Sequence, residues 1–253
     1  MARIRLDQLV VSRGLAASRE RARALILAGD VRVAGHTILK AGTLVDPEAE
    51  VSLRTADHPW VGRGGLKLAH ALDVFGVDVS GKTALDIGAS TGGFTDVLLA
   101  RGARAVVALD VGHNQLDWRL RNDPRVTVIE GFNARRLTPE DLPEGQREFD
   151  LATIDVSFIS LRHILPVVPG VLVPEGRVIV LVKPQFEAGR GEVKSGGIVR
   201  DAAVHARVVE EVSAEAHRVG LERMALEPSP IAGAEGNREF LLLLGRRATP
   251  HAD

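Results

Sequence analysis

The chain has 253 residues, of which 45% are hydrophobic and 26% charged, with a net charge of −1. At about 150 residues per domain this allows one large domain, or a large one with a small one, long enough to bury a core unaided. The absence of cysteine excludes disulfides, thiolate metal sites and cysteine nucleophiles. The strictly apolar runs reach five residues, as at 178–182 and 240–244, against the roughly 18 that span a bilayer.

The start, MARIRLDQLV, is too polar for a secretory signal, so a cytoplasmic protein is expected. Eight histidines form no HxxxH pair, and no metal site is expected. Residues 1–40 carry eight Lys or Arg against three acids, a basic patch of the kind that binds polyanions. Aromatics make up 4% and Tyr is absent, which favours contacts to a nucleic-acid backbone over base stacking.

Residues 1–56 read as a small α/β unit. Leu6, Leu9 and Val10 have helical spacing, and Gly14 stops that helix. Ser18 caps a second helix over 19–28, which places Arg19 and Arg23 one turn apart. Short strands are expected at 31–33, 37–39, 43–45 and 51–53, and a linker at 57–61 around Pro59.

From 62 to 247 the pattern changes. Strands are expected at 83–88, 105–110, 126–130, 151–156, 177–183, 224–227 and 239–244, with helices at 66–75, 94–101, 161–167 and 202–219. Apolar strands alternating with helices predict an α/β fold with a doubly wound, mainly parallel sheet. The last two strands have no helix between them and are expected to pair antiparallel at one edge. Residues 248–253 read as a tail, and Trp60 and Trp118 as packing residues.

Residues 76–83 spell GVDVSGKT, a match to the phosphate-binding pattern GxxxxGK[ST]. A working loop of that type follows a strand and opens a helix. This one follows a helix and enters a strand, so it reads as a helix stop and turn. Residues 85–94, LDIGASTGGF, are more informative. They join the first strand of the sheet to its first helix, where open α/β sheets bind nucleotide-like ligands. The turn offers Gly88, Ala89, Ser90, Thr91, Gly92, Gly93 and Phe94.

An acid, Asp86, precedes the glycines and suits an amine rather than a pyrophosphate. Asp110, 22 residues beyond Gly88, ends the next strand where an acid holds ribose hydroxyls, with Val111 beside it. The order acid, glycine turn, ribose acid suggests S-adenosylmethionine as cofactor. Asn133, after the third strand, is a candidate for the adenine edge.

Four charged residues fall where strands and loops meet this pocket: Lys67, Asp155, Lys183 and Glu239. Charges directly after apolar strands are rarely there for packing, because bare burial of charge is costly. Residues 187–201 hold four glycines with Arg190, Lys194 and Arg200, and are expected to form a mobile basic lid.

These residues carry a resemblance. Residues 83–245 resemble the FtsJ/RrmJ-like ribose 2′-O-methyltransferases, whose sites use a Lys–Asp–Lys–Glu tetrad. Residues 3–53, with RLD at 5–7, GLAASR at 14–19 and AGDVRVAG at 28–35, resemble the S4-type RNA-binding domain. Together with WVGRGGLK at 60–67, DVSFIS at 155–160 and KPQFE at 183–187, the chain resembles the TlyA family, historically called haemolysins and regarded as rRNA 2′-O-methyltransferases.

The resemblance implies a Rossmann-like S-adenosylmethionine-dependent methyltransferase sheet behind a small N-terminal S4-type domain. It implies cytidine ribose in small-subunit rRNA, large-subunit rRNA or both as substrate, with rRNA and ribosomal subunits as partners. By that analogy Lys183 is the base, Asp155 and Glu239 orient it, Asp155 also borders the cofactor, and Lys67 lines the substrate side. The residues alone leave open which lysine is the base. The RNA contacts are expected at Arg3, Arg5, Arg13, Ser18, Arg19, Arg21, Arg23, Lys40, Arg63, Arg190 and Lys194.

Two other classes compete. A membrane-active haemolysin would need a spanning segment or a basic amphipathic helix, and neither stands out in this sequence. A non-catalytic RNA-binding factor does not need the intact turn and all four tetrad positions.

Overall fold

The computed structural model describes residues 3–16, 18–27, 29–53, 58–189, 191–194, 196–233 and 236–246. The chain divides into two compact units, Met1–Pro59 and Trp60–Asp253. Arg190, residue 57 of the expected linker and the expected tail lie outside the described residues.

In the first unit β1 (Ile4–Arg5) leads into α1 (Leu6–Ser12), followed by α2 (Arg19–Leu27), β2 (Val31–Val33), β3 (His36–Thr37), β4 (Leu44–Val45) and β5 (Val51–Leu53). The Ser18 hydroxyl accepts from the Arg21 N–H at 3.1 Å, the expected N-cap of α2. Leu6, Leu9 and Val10 pack on Ala22, Leu25 and Ile26, with Val31 and Val45 closing a small core. Strand β2 pairs antiparallel with β3 and β5, and β1 pairs with β4. The extra strand β1 is too short to register as a periodicity.

The second unit runs α3 (Gly64–Phe75), β6 (Thr83–Ile87), α4 (Gly93–Ala100), β7 (Ala105–Leu109), α5 (Trp118–Arg121), β8 (Val126–Ile129), β9 (Phe149–Ile154), β10 (Leu172–Val182), α6 (Pro184–Glu187), α7 (Ala202–Arg218), β11 (Leu221–Pro228) and β12 (Phe240–Arg246). Its seven-stranded sheet has the order β11-β12-β10-β9-β6-β7-β8. Strands β6 to β10 are parallel. β12 runs antiparallel between β10 and β11, so the expected antiparallel pair is present with β12 inserted against β10.

Apolar side chains alternate between two cores. On β10, Val178, Val180 and Val182 face the layer of α7, while Ile179 and Leu181 face that of α3 and α4. The fold is thus an α/β sheet with a helical layer on each face. Chain order reverses between β6 and β9, and such a switch point opens a crevice at the carboxyl ends of the strands.

Gly76 ends α3 in the left-handed conformation at φ 62°, so GVDVSGKT is a helix stop and turn. The expected helix at 161–167 is two 3₁₀ segments, Leu161–His163 and Leu165–Val171, because Pro166 and Pro169 withhold N–H donors. Trp118 is 75% exposed and is not the packing residue expected. No helix among the described residues is long and apolar enough to cross a membrane.

Candidate active site

The site is built on the turn between β6 and α4. Gly88 has φ 87°, and a Cβ there would lie 2.5 Å from the Asp155 carbonyl oxygen, so only glycine lets the turn pass β9 this closely. The Gly88 N–H donates to the Leu109 carbonyl at 2.8 Å. Asp110 braces the turn from the next strand: its carboxylate accepts from the Ser90 N–H at 2.8 Å and the Gly112 N–H at 2.7 Å. Ser90 is held at φ 48°, an unusual conformation for a residue with a side chain.

A cleft of about 570 Å³ opens beside the turn, walled by Leu109, Val111, Phe132, Ile159 and Ile164, with Asp110, Gln115 and Asn133 as polar groups. A smaller recess of about 180 Å³ adjoins it, lined by Gly64, Ala89, Thr91, Gly93, Phe94 and Lys183. Gly88, Ser90, Asp155 and Ser157 border both. An apolar slot with an acid at one wall and a polar recess at its end fits a nucleoside joined to a charged, phosphate-free group. The Asn133 Oδ1 caps the following turn through the Arg135 N–H at 3.1 Å.

Asp86 lies beneath the turn rather than in the cleft. It is fully buried, and its oxygens accept from the Thr95 hydroxyl at 2.7 Å and the Thr153 hydroxyl at 2.9 Å. Burial pushes its carboxyl up to about 7 against the two hydroxyl donors. The expected contact with a cofactor amine is therefore replaced by a brace between β6, β9 and α4. Gly92 likewise sits behind the turn, where it passes Leu116 and Leu120.

The four charged residues form two ion pairs. The Lys183 Nζ lies 2.7 Å from the Asp155 Oδ1, just past the ends of β10 and β9. The Lys67 Nζ donates to the Glu239 Oε2 at 2.5 Å, with Glu239 2% exposed. Both pairs stand at one rim. Gly64, one turn before Lys67 on α3, comes within 3.7 Å of the Asp155 Oδ2 at its Cβ position. Glu239 precedes Phe240, which pairs with Val182, and so stands across from Lys183. The expected pairing of Glu239 with Lys183 is thus corrected: Glu239 is taken by Lys67, and the second partner of Lys183 is Ser157, whose hydroxyl accepts at 2.8 Å.

Sequence reasoning left Ser157 and Glu187 unassigned, although both lie in the quoted segments DVSFIS and KPQFE. The basic segment after Glu187 is tied at its far end. The Asn237 side chain accepts from the Val199 N–H at 2.9 Å and donates to the Gly197 carbonyl at 2.8 Å. Lys194 and Arg200 remain exposed. Arg63, half-buried, stands at the N-cap of α3.

In the first unit the expected RNA contacts divide. Asp7, fully buried, accepts from the Arg5 guanidinium at 2.9 and 3.0 Å and from Arg19 at 3.3 Å. These guanidinium donors hold its carboxyl down at about 2. Arg13 donates to the Pro47 carbonyl at 2.8 Å and Arg21 to the His58 carbonyl at 2.6 Å. Arg3, Arg23 and Lys40 are exposed.

Comparison with known proteins agrees with this architecture. Residues 60–246 match the FtsJ-like methyltransferases and residues 4–51 the S4 domain. The chain is 47% identical over 243 residues to the 16S/23S rRNA (cytidine-2′-O)-methyltransferase TlyA of Mycobacterium tuberculosis, covering 96% of this chain and 90% of that one. It is 41% identical to Hemolysin A of Brachyspira hyodysenteriae, covering 94% and 98%. A solved hemolysin-named protein from Streptococcus thermophilus superposes with a TM-score of 0.77 at 45% identity, covering 99% and 90%. The chain therefore belongs to the FtsJ-like methyltransferase family, in the TlyA group that joins this fold to an S4 domain.

Proposed function

We propose that the protein transfers a methyl group from S-adenosylmethionine to the ribose 2′-hydroxyl of a cytidine in ribosomal RNA, acting in the cytoplasm on ribosomal subunits. The observation that carries this reading is the Lys183–Asp155 pair at the junction of cleft and recess, with Lys67–Glu239 beside it. The relatives named as rRNA cytidine-2′-O-methyltransferases support the substrate class.

The residues present fit the cofactor. The apolar slot with Asn133 would take the adenine, Asp110 the ribose hydroxyls, and the recess along Gly88–Phe94 the amino-acid end. Bound there, S-adenosylmethionine supplies a methyl group on a positively charged sulfur.

The chain does the rest. Lys183, held by Asp155 and Ser157, is the base that accepts the proton of the 2′-hydroxyl at its Nζ. Lys67, fixed by Glu239, lines the side on which the ribose approaches. Orientation of the hydroxyl toward the methyl group supplies several kcal/mol of the roughly 7–11 that alignment can contribute. Arg3, Arg5, Arg13, Ser18, Arg19, Arg21, Arg23, Lys40, Arg63, Arg190 and Lys194 are the RNA-contact set of this reading, with Arg3, Arg23, Lys40 and Lys194 among its exposed charges.

The test is transfer of a labelled methyl group to ribosomal subunits. Lys183→Ala and Asp155→Ala each abolish it. Full transfer by both variants would overturn the assigned chemistry.

A further inference from the structure

Glu187 ends the short helix α6 that begins directly after Lys183. Its carboxylate is buried, with the residue 9% exposed, yet it takes no part in the cleft. Instead its Oε2 accepts from the Ser160 hydroxyl at 2.6 Å, and its Oε1 accepts from the Leu161 N–H at 2.8 Å. Both donors lie at the far end of the loop that leaves β9 with Asp155. Burial pushes the Glu187 carboxyl up against these donors.

The near end of the same loop is fastened differently. The Ser157 hydroxyl accepts from the Lys183 Nζ at 2.8 Å, and the Asp155 N–H donates to the Ile87 carbonyl at 3.0 Å. Between the two anchors Phe158 is 91% exposed and held at φ 64°. A left-handed conformation at a residue with a large side chain persists only where its surroundings over-determine it. The Phe158 ring meets the Phe186 ring of α6 with centroids 5.1 Å apart. The contacts therefore close a ring: Lys183, along α6 to Glu187, across to Ser160, back through the strained loop to Ser157, and from Ser157 to Lys183.

We infer that Glu187 is a positioning residue of the methyl-transfer site: by clamping Ser160 and Leu161 to α6 it fixes Ser157, and through Ser157 the direction of the Lys183 amine. The inference rests on the proposed role of Lys183. A plain structural acid at this place would cap the 3₁₀ turn Leu161–His163 and nothing more. The two differ in whether the effect of Glu187 passes through Ser157.

The experiment uses the full chain with Glu187→Ala, Glu187→Asp, Glu187→Gln, Ser157→Ala and the double variant Glu187→Ala/Ser157→Ala. Single-turnover methyl transfer to ribosomal subunits is measured, with S-adenosylhomocysteine affinity by calorimetry and backbone hydrogen exchange by mass spectrometry. Glu187→Ala slows transfer about tenfold or more while changing S-adenosylhomocysteine affinity by less than about threefold. Glu187→Asp, one methylene short, reproduces the defect even where the alanine variant folds poorly. Glu187→Gln keeps an acceptor for the Leu161 N–H, and the Ser160 hydroxyl can turn to accept from its amide; its rate stays within about threefold of wild type.

The double variant is no slower than Ser157→Ala by more than about twofold, because the two residues act in series. Exchange across 157–161 quickens in the alanine and aspartate variants only. Wild-type rates in Glu187→Asp, multiplicative losses in the double variant, or unchanged exchange across 157–161 would each overturn the inference. A wild-type protein that transfers no methyl group to ribosomal subunits would overturn the functional reading instead. In that event exchange and calorimetry, which need no turnover, still decide whether Glu187 locks the loop.

Discussion

Asp86 has every oxygen committed inside the protein, and this makes the stability of the protein depend on pH. Its folded carboxyl titrates at about 7, pushed up by burial, whereas an unfolded aspartate titrates near 4. The folded state therefore keeps this proton to a higher pH than the unfolded chain does. The contribution is greatest below about pH 4, is lost as pH rises to about 7, and is flat above, at a total of a few kcal/mol. Asp86→Asn keeps one acceptor and one donor for Thr95 and Thr153 and cannot ionise. Thermal melts from pH 4 to 8 should show the wild-type midpoint falling relative to that of the variant, with the gap constant above pH 7. Parallel curves would mean that Asp86 is ionised in the fold throughout.

The acid before the glycines was legible in the sequence, but its partners were not. Spacing fixes where a residue stands on a strand, whereas Thr153 is 67 positions away. The same holds for Glu239 and Lys67, separated by 172 positions. Four charges at strand ends could be read as converging, but which acid takes which lysine depends on β12 being inserted beside β10.

At the scale of elements, the turn 88–93 joins fold to chemistry. Gly88 carries both a left-handed φ and a contact that leaves no room for a Cβ, and the obstructing atom is the carbonyl of Asp155. Gly88→Ala must therefore displace either the cofactor turn or the partner of Lys183. The conformational cost alone is about 1–2 kcal/mol, and the clash adds to it, so a loss of about 2 kcal/mol or more is expected in urea unfolding. The loss of methyl transfer should be larger than this destabilisation implies, since Asp155 moves in a protein that remains folded. Calorimetry with S-adenosylhomocysteine should show at least about tenfold weaker binding. Unaltered affinity would place the cofactor elsewhere.

The strands that frame this turn were readable because a buried parallel sheet demands unbroken apolar runs, and 105–109 or 178–182 offer little else. The connections were harder. Residues 161–171 have helical composition but too many prolines for an α-helix. Trp118 reads as core by its chemistry, yet α5 is a single short turn whose inward face is already filled by Leu120.

At the scale of the whole chain, the net charge of −1 conceals a basic excess confined to residues 1–40, within the first unit. The basic excess of residues 1–40 survives in the structure only in part as open charge. Arg5 and Arg19 serve Asp7, and Arg13 and Arg21 hold backbone carbonyls. Replacing any of these four would confuse folding with binding, because each would strand a buried or bonded partner. Arg23 and Lys40 are exposed and free of that ambiguity.

If the first unit grips rRNA through its phosphates, Arg23→Glu/Lys40→Glu should raise the rRNA KM about tenfold or more while leaving the melting temperature and S-adenosylhomocysteine affinity unchanged. The dependence of binding on salt should also weaken, by about 0.7–0.9 in the log–log slope for each phosphate contact removed. A base-reading mode would instead alter preference among RNA sequences with little change in slope. The few aromatics in the chain argue for the first pattern. An unchanged KM in the doubly reversed protein would move the RNA grip away from this surface, onto the arginines bound to Asp7 or onto the second unit.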